Sequence, residues 1–221
     1  RLDFMRKRLV IFDLDGTLLD TIADLAAAAN YALRELDYPV HSVDTIRSFV
    51  GNGVNKLLER ALPADKQSDE GVQSMRAHFI PYYNEHNAEL SRPYQGVPEL
   101  LQWLQSCGVM VAVASNKYQA ATEKIVAQLF PNTFDVVLGE RDGIARKPDP
   151  QIVYDIFRMT NHTSNTTSSV LYVGDSLVDM ETAQNAQLPF IACSWGFVSR
   201  QQLLQAGATQ IIDHPAELEQ F

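Results

Sequence analysis

The chain has 221 residues, 46% of them hydrophobic, which is enough for one large domain or for one domain with a small insertion. Acidic residues outnumber basic ones by 27 to 18 and give a formal net charge of −9, which argues against nucleic acid or an anionic membrane as the main partner. No apolar run approaches the roughly 20 residues that span a bilayer, no signal-peptide pattern stands near the start, and the two cysteines are far apart, so we expect a cytoplasmic protein.

Short apolar runs alternate with helical patterns along the chain, which is typical of a parallel α/β sheet. The first run, Leu9–Phe12, predicts a buried strand. Later runs predict four more strands and a weak sixth at an edge: Val109–Ala114, Asp135–Leu138, Ser169–Val173, Phe190–Ser194 and Gln210–Ile212. We therefore expect a Rossmann-like parallel sheet with helices on both faces.

The long interval between the first two predicted strands reads as helical throughout. Apolar stripes with helical spacing begin at Ile22, Val54 and Val72. Ser68 is the expected N-cap of the third helix, and Pro81 predicts a kink or break in it. The sequence thus predicts a core α/β domain, residues 1–19 and 93–221, interrupted by a small all-helical domain, residues 20–92.

Polar and charged side chains follow several of the predicted strands. In an open α/β sheet, ligands bind outside the carboxyl ends of the strands. The side chains delivered there are, in chain order, Asp13, Asp15, Ser115, Asn116, Lys117, Lys147, Asp175 and Asp179. We expect them to meet at one edge of the sheet.

Taken singly, these residues have ordinary explanations, with Asp175 and Ser115 as helix caps and Lys147 on the surface. Taken together, converging carboxylates repel one another and raise each other's pKa unless a cation lies among them. The economical cation is Mg²⁺, which is bound by carboxylates, water and phosphate oxygens. Lys147 and the Ser115 hydroxyl would then hold the remaining oxygens of a phosphate.

Four motifs resemble those of the haloacid-dehalogenase superfamily of phosphohydrolases. They are FDLDGTLLDT (Phe12–Thr21), ASNK (Ala114–Lys117), RKPDP with Lys147, and GDSLVDM (Gly174–Met180). All four occur in the order expected for that superfamily. The helical insertion falls between the first and second motifs, as in members with a type 1 helical cap.

The resemblance implies a role for each acidic residue. Asp13 would be the nucleophile that forms an aspartyl-phosphate, and Asp15 the general acid that later acts as the base. Asp13, the backbone carbonyl of Asp15, and Asp175 would bind Mg²⁺, with Asp179 bound directly or through water. Phosphate and substrate contacts would come from Ser115, Lys147, Asn116 and Thr17, of which Asn116 and Thr17 also look like supports near the site.

The turn Gly51-Asn52-Gly53 precedes a predicted helix in the insertion. A glycine-flanked helix N-terminus offers free N–H groups and the positive end of the dipole, which suits a carboxylate, although an ordinary corner between helices explains the same pattern. The turn and the helix after it resemble the cap of phosphoglycolate phosphatases. The resemblance therefore implies 2-phosphoglycolate as the substrate, bound in part by Gly51, Asn52 and Gly53.

Other functions stay open on the sequence. A phosphomutase of the β-phosphoglucomutase type would use the same aspartyl-phosphate, and a pyrophosphatase or a broad sugar-phosphate or nucleotide phosphatase is a further alternative. Asp15 argues against the dehalogenase branch, which lacks the second acid. Outside enzymes, the helical insertion disfavours a phosphoaspartate receiver, and the intact motifs disfavour a silent binding module. The expected partner is a small phosphoester, bound by a monomer or homodimer.

Overall fold

The computed structural model describes residues 8–162 and 168–221. In chain order the elements are β1 (Leu9–Phe12), β2 (Leu19–Asp20), α1 (Ile22–Glu35), α2 (Val43–Phe49), α3 (Val54–Ala61), α4 (Asp69–His86), β3 (Arg92–Pro93), α5 (Val97–Ser106), β4 (Met110–Tyr118), α6 (Gln119–Leu129), β5 (Val136–Glu140), α7 (Gln151–Met159), β6 (Val170–Gly174), α8 (Leu177–Asn185), β7 (Phe190–Cys193), α9 (Arg200–Gln205) and β8 (Ile211–Ile212). Short 3-10 helices cover Ala64–Lys66 and Pro215–Gln220. Within these ranges, no helix is both long and apolar enough to cross a membrane.

Six strands form one parallel sheet in the order β5-β4-β1-β6-β7-β8. Successive residues of β1 point to opposite faces, so that Val10 and Phe12 enter one hydrophobic cluster while Leu9 and Ile11 enter another. Helices α5 and α6 cover the first face, and α7 and α8 cover the second. The predicted α/β class, with helices on both faces of a parallel sheet, is confirmed.

Strand β4 is longer than the sequence predicts. The sequence predicts an end at Ala114, but the strand runs to Tyr118, whose backbone pairs with Glu140 after an irregularity in register. Three polar residues, Ser115, Asn116 and Lys117, are therefore part of the strand and are buried. Polar residues do not end a strand when their side chains find buried partners, as these do.

Helices α1 to α4 pack mainly on one another, around a hydrophobic cluster of their own. Ser68 caps α4 as predicted, because its hydroxyl accepts a hydrogen bond from the Gly71 N–H. Pro81 neither breaks nor ends α4, which continues to His86. The predicted break at Pro81 is therefore wrong. The fully buried side chains Phe79 and Tyr83 flank Pro81 and hold the helix in place on both sides of it. These four helices are called the helical insert below.

The helical insert joins the sheet region through two short paired strands. β2 and β3 are antiparallel, with Leu19 opposite Pro93 and Asp20 opposite Arg92. Close by, the buried carboxylate of Asp24 on α1 accepts hydrogen bonds from the backbone N–H groups of Leu90 and Ser91. The domain division at residues 20–92 stays a prediction, and its boundaries fall at this junction.

Candidate active site

The predicted site residues come together at the carboxyl ends of β1, β4 and β6, where Lys147 joins them from the segment after β5. They border a cavity of about 340 Å³ that lies between this edge of the sheet and the helical insert. Its lining includes Asp13, Asp15, Ser115, Asn116, Lys147 and Asp175 from the sheet side and Arg47, Gly51, Gly53, Phe79 and Tyr83 from the insert. Asp179 lies behind this surface and is fully buried.

Three carboxylates form the centre of the site. Asp13, Asp175 and Asp179 each place one oxygen within 4.8 Å of the others. Burial, followed by the Asp179 charge, raises the pKa of Asp13 well above its ordinary range, and the same two causes raise the pKa of Asp175 to about 7. A cluster of this kind is costly in its charged form unless a cation offsets it.

Lys147 provides part of that compensation. Its ammonium group donates to Asp13 Oδ1 at 3.0 Å, Asp179 Oδ1 at 2.8 Å and the Ala114 carbonyl at 2.8 Å, which uses all three of its N–H bonds. Burial alone would lower the pKa of Lys147, but Asp13 and Asp179 raise it well above its ordinary value. When all three carboxylates are ionised, the single ammonium group leaves two negative charges uncompensated, and the oxygen-only donor set suits a hard divalent cation such as Mg²⁺.

The two carboxylate oxygens of Asp13 have different surroundings. Oδ1 accepts hydrogen bonds from the Leu14 N–H at 2.7 Å and from Lys147. Oδ2 accepts none from any residue in the part of the chain that the structure describes. Asp13 therefore has one oxygen fixed by the protein and one available for chemistry.

Asp175 is held by both of its oxygens. Oδ1 accepts from the Thr17 hydroxyl at 3.0 Å, and Oδ2 accepts from the Phe197 N–H at 2.8 Å. Gly16, with a φ of +85°, packs so closely that a Cβ there would lie 2.3 Å from Asp175 Oδ2. The Thr17 hydroxyl donates to Asp175 and supports that carboxylate, while a contact of Thr17 with substrate stays a prediction.

Asp179 belongs to the start of α8. Its Oδ2 accepts from the Ser176 N–H and hydroxyl, and the Asp179 N–H bonds back to the Ser176 hydroxyl, which makes a capping box. Its Oδ1 accepts from Lys147 and, at 3.2 Å, from the Tyr172 hydroxyl. With both oxygens engaged, Asp179 orients Lys147 and adds negative charge to the cluster.

Asp15 stands apart from the three clustered acids. Its Oδ1 lies 3.0 Å from the Lys117 ammonium and accepts a 2.5 Å hydrogen bond from the Thr21 hydroxyl. The sequence places Lys117 in the motif Ala114–Lys117 but predicts no role for it. A lysine at the end of an apolar strand is the sequence signal for such a role, because a buried lysine requires a negatively charged partner.

Ser115 and Asn116 have separate tasks in β4. Ser115 borders the cavity, and its hydroxyl oxygen accepts from the Lys117 N–H at 3.0 Å, which leaves the hydroxyl proton free to be donated. Asn116 accepts from the Lys147 N–H at 2.9 Å and donates to the carbonyls of Lys147 and Gly51, each at 3.1 Å. Asn116 thus links the Lys147 segment to the glycine turn of the helical insert.

The glycine turn faces the sheet side of the molecule. Gly51 and Gly53 border the cavity, whereas Asn52 does not. Gly53 is the N-cap of α3 with a φ of +84°. The binding of a substrate carboxylate at this helix start stays a prediction. Gly51 and Gly53 border the cavity, as that prediction requires.

The chain is similar in sequence and in fold to several known proteins. A family profile described as haloacid dehalogenase-like hydrolase matches residues 10–193. A phosphoglycolate phosphatase of Pseudomonas savastanoi pv. phaseolicola is 33% identical over 217 residues, which cover 93% of this chain and 76% of the relative. The N-acetylmuramic acid 6-phosphate phosphatase of Pseudomonas aeruginosa is 33% identical over 216 residues, covering 97% and 94%. A solved structure of a candidate phosphoglycolate phosphatase from Lactobacillus delbrueckii subsp. bulgaricus has a TM-score of 0.89 at 33% identity, covering 96% of this chain and 97% of its own.

Proposed function

Since the chain belongs to the haloacid dehalogenase-like hydrolase family, we propose that it is a magnesium-dependent phosphomonoesterase that works through a phosphorylated Asp13. The prediction of an enzyme of the phosphatase class is confirmed by the relatives that share a third of its sequence. The observation that carries the mechanism is the unequal environment of the two oxygens of Asp13.

Asp13 is the proposed nucleophile. Lys147 and the Leu14 N–H hold Oδ1, so that the carboxylate is kept in one orientation while Oδ2 attacks phosphorus. A bond forms between Oδ2 and phosphorus as the bond from phosphorus to the ester oxygen breaks, and the electron pair leaves with that oxygen. Burial makes this carboxylate poorly solvated, which removes a water shell that would otherwise have to be displaced.

Asp15 is the proposed proton donor and acceptor. In the first step it gives its proton to the leaving oxygen, and the alcohol departs. In the second it takes a proton from water, whose oxygen bonds to phosphorus as the Asp13–phosphorus bond breaks. Its position beside the cavity and two residues from Asp13 supports this division of work.

The proposed metal ligands are Asp13, Asp175 and the backbone carbonyl of Asp15, with Asp179 nearby. The two uncompensated negative charges and the all-oxygen donor set support a divalent cation. When bound, Mg²⁺ supplies positive charge that offsets the charge of the transferring phosphoryl group. Ser115 donates its hydroxyl proton to a phosphoryl oxygen, and Lys147 contributes its positive charge from behind Asp13.

The proposed substrate is a small phosphomonoester that carries a carboxylate, with 2-phosphoglycolate as the first choice. Arg47, on α2, borders the cavity on the insert side; its guanidinium group pairs with Asp44, whose side chain is largely exposed, and a substrate carboxylate would replace Asp44 as its partner. The two relatives above are equally similar, and the substrates in their names are both phosphorylated carboxylic acids.

N-acetylmuramic acid 6-phosphate is the second candidate substrate, and the size of the site favours it. A further cavity of about 390 Å³ adjoins the first and shares Arg47, Phe197 and Gln202 with it. A leaving group much larger than glycolate therefore has room beside Arg47.

The test is phosphate release from a panel of substrates in Mg²⁺ and in EDTA. The panel contains 2-phosphoglycolate, N-acetylmuramic acid 6-phosphate, glucose 1-phosphate, pyrophosphate and p-nitrophenyl phosphate. We expect turnover in Mg²⁺ with preference for one of the two acids, and phosphate on the Asp13 peptide after an acid quench. Preference for glucose 1-phosphate with formation of glucose 6-phosphate would replace the hydrolase by a phosphomutase, and turnover in EDTA would remove the metal from the mechanism.

A further inference from the structure

Lys117 occupies an unusual position for a lysine. Only 5% of its side chain is exposed, and its ammonium group lies between two side chains from different parts of the fold. One is Asp15, in the loop after β1, at 3.0 Å. The other is Tyr83, on α4 of the helical insert, whose hydroxyl accepts a 2.5 Å hydrogen bond from the ammonium group.

Within the described residues, the hydrogen bonds and the ion pair of the Asp15 side chain are all made by one of its oxygens. Lys117 and Thr21 both bind Oδ1, and Oδ2 has no hydrogen-bond partner among residues 8–162 and 168–221. Because two donors bind the same oxygen, they fix the rotation of the carboxyl group about the Cβ–Cγ bond of Asp15. The free oxygen, Oδ2, is consequently the one that is presented for proton exchange.

Tyr83 in turn holds Lys117. The Tyr83 side chain is buried, with 1% of the residue exposed, and its ring stacks on Phe79 with centroids 5.3 Å apart. Burial alone would lower the pKa of Lys117, but Asp15 and Tyr83 more than offset this and raise it above the ordinary value, so the group is a cation. A fixed hydroxyl on the helical insert therefore determines where that cation lies.

We propose that Lys117 is a positioning residue for Asp15: held by Tyr83 of the helical insert, it binds Asp15 Oδ1 and thereby aims Oδ2 at the leaving oxygen. This inference rests on the acid–base role of Asp15 in the proposed function. It also ties that role to the place of the insert, because Tyr83 reaches Lys117 only where α4 packs against β4. Proton transfer to the leaving group then depends on the insert being in this position.

Leaving groups of different basicity separate this role from binding. The leaving oxygen of p-nitrophenyl phosphate departs without a proton, whereas the alkoxides of 2-phosphoglycolate and glycerol 2-phosphate need one. The value of kcat/KM covers the steps up to departure of the leaving group. A residue that aims Asp15 should therefore affect kcat/KM for the two alkyl esters and leave that for the aryl ester nearly unchanged.

The experiment measures kcat/KM for these three esters in Lys117→Met, Tyr83→Phe and Asp15→Asn, with exposed Lys66→Met as the matched control. For Lys117→Met we expect a loss of about 10- to 100-fold on both alkyl esters and less than about 3-fold on the aryl ester. Tyr83→Phe, which keeps the buried ring, should give a smaller loss with the same pattern. Lys117→Met combined with Asp15→Asn should lose no more than Asp15→Asn alone, because both changes remove one function.

Three results would overturn the inference. The first is an equal loss of kcat/KM on all three esters. The second is a loss confined to 2-phosphoglycolate, which would make Lys117 a carboxylate-binding residue. The third is no loss of kcat/KM in either Lys117→Met or Tyr83→Phe. If Lys117→Met does not fold, as judged by circular dichroism, Tyr83→Phe decides alone. If Asp15→Asn itself shows no dependence on the leaving group, the acid–base role in the proposed function fails. If Asp15→Asn shows it and Lys117→Met does not, only the role of Lys117 fails.

Discussion

The carboxylate of Glu140, at the end of β5, lies against Gly53 at the start of α3. A Cβ added to Gly53 would lie 2.8 Å from Glu140 Oε2 and 3.3 Å from Arg146 Nη1, and these two side chains form an ion pair at 3.7 Å. The positive end of the α3 dipole therefore already has an anion beside it. A substrate carboxylate at the same helix start would have to share it with Glu140.

Gly53→Ala should disturb the contact between the helical insert and the sheet region. Gly207→Ala is its matched control, because Gly207 also has a positive φ, +95°, but lies away from the cavity, and a Cβ there meets nothing within 4 Å. We expect both variants to lose about 1–3 kcal/mol of unfolding free energy from backbone strain. Only Gly53→Ala should also lower kcat/KM, by about 10-fold, since it displaces Glu140 and Arg146.

Thermal unfolding and kinetics on 2-phosphoglycolate and p-nitrophenyl phosphate check this pair. If the two variants lose the same activity, the Glu140 contact has no part in aligning the insert. If Gly53→Ala loses activity on 2-phosphoglycolate alone, the turn binds the substrate carboxylate as the sequence predicts.

Asp13→Asn should abolish turnover and keep the fold. The amide has almost the same shape but cannot attack phosphorus, so we expect kcat below about one thousandth of the unmodified value. Burial and the neighbouring acids raise the pKa of Asp13, so its charge is unfavourable in the metal-free fold, and the variant should be at least as stable in EDTA. Retained turnover in a sample checked by mass spectrometry for deamidation would contradict the assignment of Asp13.

The stability of the metal-free protein should depend on the ionisation of Asp175. Its pKa is raised from 3.8 to about 7, chiefly by burial, so the folded state binds a proton that the unfolded state has lost. The contribution of Asp175 is therefore fully favourable below about pH 4 and is lost as pH rises to about 7. Chemical unfolding in EDTA between pH 4 and 7 should show a steeper fall for the unmodified protein than for Asp175→Asn.

Mg²⁺ should reverse this trend, because it binds the ionised carboxylates. We expect Mg²⁺ to raise the melting temperature more at pH 7 than at pH 5, and to raise it much less in Asp175→Asn. An equal rise in both proteins would place the ion elsewhere.

Gly16→Ala should weaken the proposed metal site although it replaces no charged residue. The added Cβ would lie 2.3 Å from Asp175 Oδ2, so the carboxylate has to move. Gly108→Ala is the control, since Gly108 has a similar φ, +73°, and open space around it. We expect Gly16→Ala to raise the Mg²⁺ concentration for half-maximal activity by about 10-fold or more, and Gly108→Ala to leave it unchanged.

The sheet, the helical insert and the gathering of the acids follow from local patterns in the sequence. Continuous apolar runs predict buried parallel strands, and polar residues after several such runs must meet because the carboxyl ends of parallel strands share one edge. This is why Asp13, Asp175 and Lys147 lie together as expected. The helical spacing before residue 92 likewise predicts the insert.

The remaining features depend on partners that are distant in sequence. Lys117 is recognisable as part of the site only once Asp15 and Tyr83 stand on either side of it. Strand β4 continues past Ala114 because β5 offers a partner for Tyr118. Pro81 is tolerated in α4 because the helix is packed on both sides of it, which no local rule reports.

We predict that the pairing of β2 with β3 makes the helical insert an exchangeable module. The chain leaves the sheet region at Leu19 and returns at Pro93, directly opposite, while the Asp24 clamp on Leu90 and Ser91 lies wholly inside the module and would travel with it. A chimera joined at these two strands should therefore fold with helices taken from another protein. Such grafts would exchange one leaving-group preference for another, and they would keep full proton transfer only where the new helices supply a hydroxyl in the place of Tyr83.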